Sequence, residues 1–311
     1  MEQNEQLCQL DDACAAREKN GVAKNSVIAA VGLTLMKIIV GLMTGSLGIL
    51  AEAAHSALDL MAALVTWFAV HASSKAADKE HPYGHGKIEN LAALFETFLL
   101  LITCGWIIYE ACNRIFGKGE HEITLSVWAF LVMFISIIVD ITRSRMLYRA
   151  AHKHNSQALE ADALHFSTDV WSSMVVLFGL FMVWISKMVP SLDWLREADS
   201  VAALFVALIV ISVSIRLGMR TVAALLDSSP EGVEQKLAAC IEAMDGVVSC
   251  HRIRVRTSGP KMFIDAHVCM HGSLTLAAAH ELMDKIESAI QKDHPHADVT
   301  IHPEPSEHSE K

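Results

Sequence analysis

Two short patterns in apolar surroundings carry the chemistry. One reads Ala54-His55-Ser-Ala-Leu-Asp59-Leu60 and the other Leu164-His165-Phe-Ser-Thr-Asp169-Val170, so both are H-x-x-x-D. A spacing of four puts each imidazole and its carboxylate on one face of a helix. Ionisable groups inside apolar spans are costly and mark function by default. One such pair is as well explained by two polar groups satisfying each other inside a bundle. Two copies of the same spacing, on two spans, are not. Turned together, the faces supply two nitrogens and two oxygens. That tetrahedral donor set suits Zn²⁺, whereas carboxylate-only shells favour harder ions.

The elements that must position these pairs are membrane helices. Of 311 residues, 52% are hydrophobic and only 19% charged, and the mean hydropathy is +0.35. That balance excludes a disordered chain, and the net charge of −10 excludes an ordinary nucleic-acid binder. About 20 mostly apolar residues cross a bilayer. Six stretches qualify, near 25–44, 48–72, 89–111, 124–147, 159–188 and 199–226. The short link at Thr44–Leu47 forces a helical hairpin, Lys37 must snorkel or pair, and Pro190 ends the fifth span.

Orientation follows from Lys and Arg in short loops. With the N-terminus inside, the cytoplasmic side holds Arg17, Lys19, Lys24, Lys75, Lys79, Lys87, Arg143, Arg145, Arg149 and Lys153, against Arg114, Lys118, Lys187 and Arg196 outside. Both termini are therefore expected in the cytoplasm. Glu2, Glu5, Asp11 and Asp12 precede any apolar run, so the start does not read as a cleaved signal peptide and is expected to be a disordered acidic leader. Seven scattered cysteines without a C-x-x-C pair do not form a disulfide framework, and Cys104 and Cys112 read as small core residues.

After Ser229-Pro230 the pattern becomes that of a small soluble domain. Val233, Leu237, Ile241 and Met244 have helical spacing, and Arg252–Arg256 and Met262–Met270 alternate like strands about a Ser258-Gly259-Pro260 turn. Residues 275–291 form a second helix, and Val299 and Ile301 mark a last strand, giving the order αββαβ. Alternation puts Met262, Ile264, Ala266, Val268 and Met270 on the face that covers the helices, and Phe263, Asp265, His267, Cys269 and His271 on the other.

The paired H-x-x-x-D motifs, the loop Asp78-Lys-Glu-His81-Pro-Tyr-Gly-His85-Gly-Lys87 and the His-bearing C-terminal domain together resemble the cation diffusion facilitator family over residues 20–304. The resemblance implies a homodimeric metal/proton antiporter in the cell (inner) membrane. Its fold is an all-α membrane domain of six helices with a cytosolic α+β, ferredoxin-like, metallochaperone-like domain. The boundaries that follow are an acidic segment 1–24, a transport domain 25–227, a metal-binding regulatory domain 228–304 and a tail 305–311.

By resemblance His55, Asp59, His165 and Asp169 form the transport site, Asp78, His81 and His85 a second site, and His251, His267, His280, His302 and Glu304 a cytosolic binuclear site. Lys87 and Asp227 correspond to a salt bridge at the cytosolic ends of spans three and six. Glu52 and Asp162 read as hydrated groups near the entrances. One departure matters. The bacterial zinc- and iron-efflux type usually has Asp where this chain has His55, which resembles the zinc-preferring branch.

The expected activity is thus efflux of a divalent cation, Zn²⁺ before Cd²⁺, Co²⁺ or Fe²⁺, against inward proton flow. The partners are protons, metal, lipid and a second copy of the chain. An intramembrane metalloenzyme is the rival, but the chain has no H-E-x-x-H, and a four-ligand shell leaves no open position for a substrate. A metal sensor that does not transport would not need the membrane site.

Overall fold

The computed structural model describes residues 2–116, 127–188, 198–295 and 297–306. Six long helices come first: α1 (Glu2–Thr44), α2 (Leu47–Ser73), α3 (Lys87–Phe116), α4 (Val127–His154), α5 (Gln157–Met188) and α6 (Ala198–Leu225). Among the described residues, four segments are long and apolar enough to cross a membrane, namely Ala13–Thr44, Glu52–Ser73, Lys87–Tyr109 and Leu204–Leu225. α4 breaks the apolar pattern with Asp140, Arg143, Arg145 and Arg149. Lys118, Pro190, Arg196 and the last five residues lie outside the described residues.

The leader is not disordered. α1 begins at Glu2 and runs without interruption into the first apolar stretch. Gln, Glu, Leu and Ala dominate that leader, and all favour helix. Short links keep neighbouring helices antiparallel. Ser46 Oγ accepts the Ile49 N–H to cap α2, and Ser156 Oγ accepts the Leu159 N–H at the start of α5.

Small residues let the helices approach. Ala23, Ala63, Ala69, Ala92, Ala150, Ala151, Ala158 and Ala163 are buried around Leu147, Leu159 and Phe166. Large apolar side chains such as Leu42, Phe68, Phe98, Trp106, Phe134 and Phe205 face outward. That inversion of the usual core pattern fits helices dissolved in lipid, where close packing of small residues supplies the association.

The C-terminal unit has α7 (Val233–Glu242), β1 (Val247–Ser258), β2 (Lys261–His271), α8 (Leu276–Asp293) and β3 (Ala297–Ser306), the expected order. β2 lies centrally, antiparallel to β1 and parallel to β3. Ile264, Ala266, Val268 and Met270 are buried with Leu237 and Ile241 of α7 and Leu282, Ile286 and Ile290 of α8, so both helices cover one face. Pro305 and Ser306, expected to lie in the tail, instead pair with Met270 and His271 as part of β3. β3 is an edge strand, where proline is tolerated.

The β1–β2 turn docks onto the start of α3. The Gly259 N–H donates to Asn90 Oδ1 at 3.0 Å. Tyr83 meets Phe263 edge-on at 5.4 Å, with the Arg256 guanidinium 4.1 Å over the Tyr83 ring. Glycine is required here for proximity. A Cβ on Gly86 would stand 2.1 Å from the Ser258 carbonyl oxygen, and one on Gly259 would stand 2.8 Å from that of Gly86.

Candidate metal centres

α2 and α5 bring the two H-x-x-x-D pairs together. His165 Nε2 lies 3.3 Å from Asp59 Oδ1 and 3.7 Å from Asp169 Oδ2. His55 Nε2 lies 3.9 Å from Asp59 Oδ1 and 3.9 Å from Asp169 Oδ1. Each imidazole thus faces the carboxylate of its own helix and that of the other. Among the described residues His55, Asp59 and Asp169 can each offer one donor atom within 4.8 Å of the others, and His165 stands beside both carboxylates.

Exposure across the centre is unequal. The His55 side chain is 44% exposed and that of His165 only 7%. His165 Nδ1 is buried with no hydrogen-bond partner among the described residues. Lys37 is paired, as a cation in this position must be: its Nζ lies 3.2 Å from Glu52 Oε2 and 2.7 Å from Ser56 Oγ. Glu52 is therefore an ion-pair partner.

Asp162 corrects an expectation. It is fully buried, not hydrated, because α5 turns it into the bundle one turn before His165. Glu96, Asp140 and Arg143, none of them read as a site residue from the sequence, are buried or half-buried in α3 and α4. The available signal was each charge interrupting an apolar run. A further buried group gathers at the α2–α3 loop end of the bundle. Glu89 binds Lys19 Nζ at 2.6 Å and Ser73 Oγ at 2.7 Å, and accepts the Ser156 hydroxyl. It ties α1, α2, α3 and α5 together.

The α2–α3 loop forms a compact cluster. His81 Nδ1 lies 3.3 Å and His85 Nε2 3.5 Å from the Asp78 carboxylate, and the two rings are 4.5 Å apart. Asp78 Oδ1 also accepts the backbone N–H groups of His81 and Glu80, at 2.7 and 3.0 Å. The His81 N–H, then that of Glu80, holds the Asp78 carboxyl below the usual carboxylate range.

In the C-terminal sheet, register aligns His251 with His267 and His267 with His302 across three strands, on the face away from the helices. Glu304 gathers them: it lies 2.7 Å from His267 Nδ1, 3.3 Å from His251 Nε2 and 3.9 Å from His302 Nε2. The His267 hydrogen bond lowers the Glu304 carboxyl from its ordinary value. Cys269 Sγ is 3.9 Å from His251 Nδ1. His280 is not brought to this cluster. It lies on α8, across the sheet, 3.9 Å from Asp284 of its own helix. Lys87 Nζ lies 2.9 Å from Asp227 Oδ1 and donates to the Leu225 carbonyl at 3.3 Å.

Helices joined by closely packed alanines, with a His/Asp cage set between two of them, define a membrane transporter of metal cations. The family model for the cation efflux transmembrane domain matches residues 23–226, and that for the cation efflux protein cytoplasmic domain matches residues 230–306. The chain belongs to the cation efflux, or cation diffusion facilitator, family, whose members are transporters and not enzymes. It is 31% identical to a cation-efflux pump FieF of Yersinia enterocolitica over 293 residues, 94% of each chain. It is 32% identical to that of Klebsiella pneumoniae over 279 residues, 89% of each. Among solved structures, the metal-bound C-terminal domain of the CzcD transporter from Thermotoga maritima is 35% identical, with a TM-score of 0.23, over 24% of this chain and 90% of that one. The Zn form of CzrB is 25% identical, with a TM-score of 0.24, over 27% of this chain and 98% of that one.

Proposed function

We propose that this cation efflux transporter exports Zn²⁺ in exchange for protons through His55, Asp59, His165 and Asp169. The observation that carries the reading is the cage itself. Two imidazoles and two carboxylates cross-face at 3.3–3.9 Å between α2 and α5. Coupling follows from ligand chemistry. Metal requires neutral imidazole and ionised carboxylate, so binding releases protons and proton uptake releases metal. A more acidic outer face makes release favourable there. All six long helices span the bilayer in this reading, with both termini in the cytoplasm and two chains forming the transporter. Asp78, His81 and His85, and separately His251, His267, His302 and Glu304, bind metal on the cytosolic side. Occupancy there biases alternating access through a difference in affinity between the two states. Lys87–Asp227 braces the junction of the two parts.

The test is uptake into sealed vesicles with the cytosolic face outward. Zn²⁺ accumulates when the lumen is more acidic than the bath and stops when the pH difference is collapsed. Parallel runs with Cd²⁺, Co²⁺, Fe²⁺ and Mn²⁺ rank the substrates. Uptake indifferent to the gradient would remove proton exchange from the mechanism.

A further inference from the structure

Each histidine of the cage is followed in the chain by a residue that a buried cation holds from the side. One step along a helix is a turn of about 100°. His55 and His165 therefore face the other cage helix, while Ser56 faces α1 and Phe166 faces α4. On α2, Lys37 of α1 donates to Ser56 Oγ at 2.7 Å and to Glu52 Oε2 at 3.2 Å. Thr34 Oγ1 donates to the Ser56 backbone carbonyl at 3.0 Å. On α5, the Arg143 guanidinium of α4 lies 3.5 Å over the Phe166 ring, which meets the His165 ring edge-on at 5.4 Å. Ser144 Oγ donates to the backbone carbonyl of Ala163, two residues before His165, at 2.9 Å.

The two grips are built alike. In each, a hydroxyl on the outer helix takes a main-chain carbonyl of the cage helix, and a cation beside it takes the side chain next to the histidine. Each cation is itself held by one carboxylate and one serine. For Lys37 these are Glu52 and Ser56; for Arg143 they are Asp140 at 3.4 Å and Ser26 at 3.2 and 3.1 Å. α1 backs both. Its Ser26, Ala30, Thr34 and Lys37 recur at intervals of four and three and are all buried, so one face of α1 meets α2 at Ser56 and α4 at Arg143. Space filling does not explain the cations, which are 5% and 3% exposed. An apolar side chain of similar volume is as stable or more so in such a place, because taking an ion out of water is offset only by good partner geometry. Fixed geometry beside a ligand is what the charges supply.

We propose that Lys37 and Arg143 are positioning residues for the transported cation. Through Ser56 and Phe166 they fix the turns of α2 and α5 that carry His55 and His165, and so set how closely the four ligands gather on an ion. Neither is a ligand. Their role rests on the reading of the His/Asp cage as the transport site.

Co²⁺ reports the geometry, because a four-coordinate ion absorbs visible light far more strongly than a six-coordinate, water-bound one. In the full chain in lipid nanodiscs, the spectrum of the cage is the difference between the parent and an Asp59→Asn, Asp169→Asn chain, to which the cytosolic clusters contribute equally. Lys37→Met leaves only the exposed Glu52 without its partner, and Arg143→Met is made together with Asp140→Asn so that this carboxylate is not stranded. Each is expected to weaken the cage band at Co²⁺ saturation and to lower Zn²⁺ affinity at the cage about tenfold. Zn²⁺ affinity at His251, His267 and Glu304 stays as in the parent, and an equal loss there would mean general loss of fold and overturn the role. Ser56→Ala should reproduce the Lys37→Met effect alone, and combining the two should add less than about twofold. Losses that multiply would show that the ammonium acts on the cage by charge and not through Ser56, which also overturns it. A cage band present in the parent and unmoved in the variants removes only the positioning role. No cage band in the parent removes the cage as transport site, and the positioning role with it.

Discussion

At the scale of single residues, chemistry is set by which atoms share a cage. Asp169 faces both His55 and His165, so Asp169→Ala leaves three ligands and changes the charge of a buried shell. Vesicle Zn²⁺ flux is expected to fall to background while protein amount stays near normal. Retained flux would falsify the cage as the transport site. His55 is the exposed member, and His55→Asp exchanges an imidazole for a hard carboxylate without opening the core. The ratio of Mn²⁺ or Fe²⁺ uptake to Zn²⁺ uptake is expected to rise; a constant ratio would put selectivity elsewhere. In the loop, Asp78 is held below the ordinary carboxylate range by the His81 and Glu80 amides. A depressed carboxyl contributes its stability above the unfolded value and loses it only as pH falls through the lower folded one. Amide-exchange protection at Glu80 and His81 should therefore stay level from about pH 7 to pH 5 and drop below that, and Asp78→Ala should abolish it throughout. Protection lost already by pH 6 would mean that the histidines hold the turn instead.

At the scale of elements, periodicity explains what was legible. A spacing of four exposes a shared helix face from sequence alone, so the cage was readable, as were the αββαβ order and the covered face of β2. Features that depend on a partner from another element were not. Asp162 read as hydrated because nothing in α5 shows that α3 and α6 pack beside it. Pro305 read as the start of a tail, since a sequence does not declare β3 an edge strand. His280 was grouped with the other histidines by resemblance, yet α8 packs on the opposite face of the sheet. The sheet therefore separates two variants. His267→Ala removes the shortest contact to Glu304 and should lower Zn²⁺ affinity of the C-terminal cluster by tenfold or more, at about 1.4 kcal/mol per tenfold. His280→Ala should leave it unchanged in calorimetric titration of the full chain. Equal losses would show that a second chain presents His280 to the cluster.

At the scale of the whole molecule, the question is how a metal cluster on the sheet reaches helices in the membrane. A physical route exists through packed groups. β2 carries His267 and leads back to the β1–β2 turn, where Gly259 donates to Asn90 and Ser258 lies against Gly86. Asn90 also donates to Gln157 at 2.8 Å, and its neighbour Glu89 binds Lys19, Ser73 and Ser156. One turn of α3 thus joins the sheet to α1, α2 and α5. Contiguity alone does not prove coupling, so the junction must be perturbed without touching any ligand. Gly86→Ala does that. Its Cβ would stand 2.1 Å from the Ser258 carbonyl oxygen, which is backbone and gives way only if the whole turn withdraws. Withdrawal breaks the Gly259–Asn90 bond and costs on the order of 2 kcal/mol. Amides of Gly259 and of residues 87–90 should exchange faster in Gly86→Ala, while Zn²⁺ affinity at His251, His267 and Glu304 stays as in the parent chain. If the junction carries the signal, added Zn²⁺ slows exchange at 87–90 in the parent and leaves it unaltered in the variant. The same Zn²⁺ response in both chains would show that the sheet communicates with the helices by another path, with Lys87–Asp227 the next contact to break.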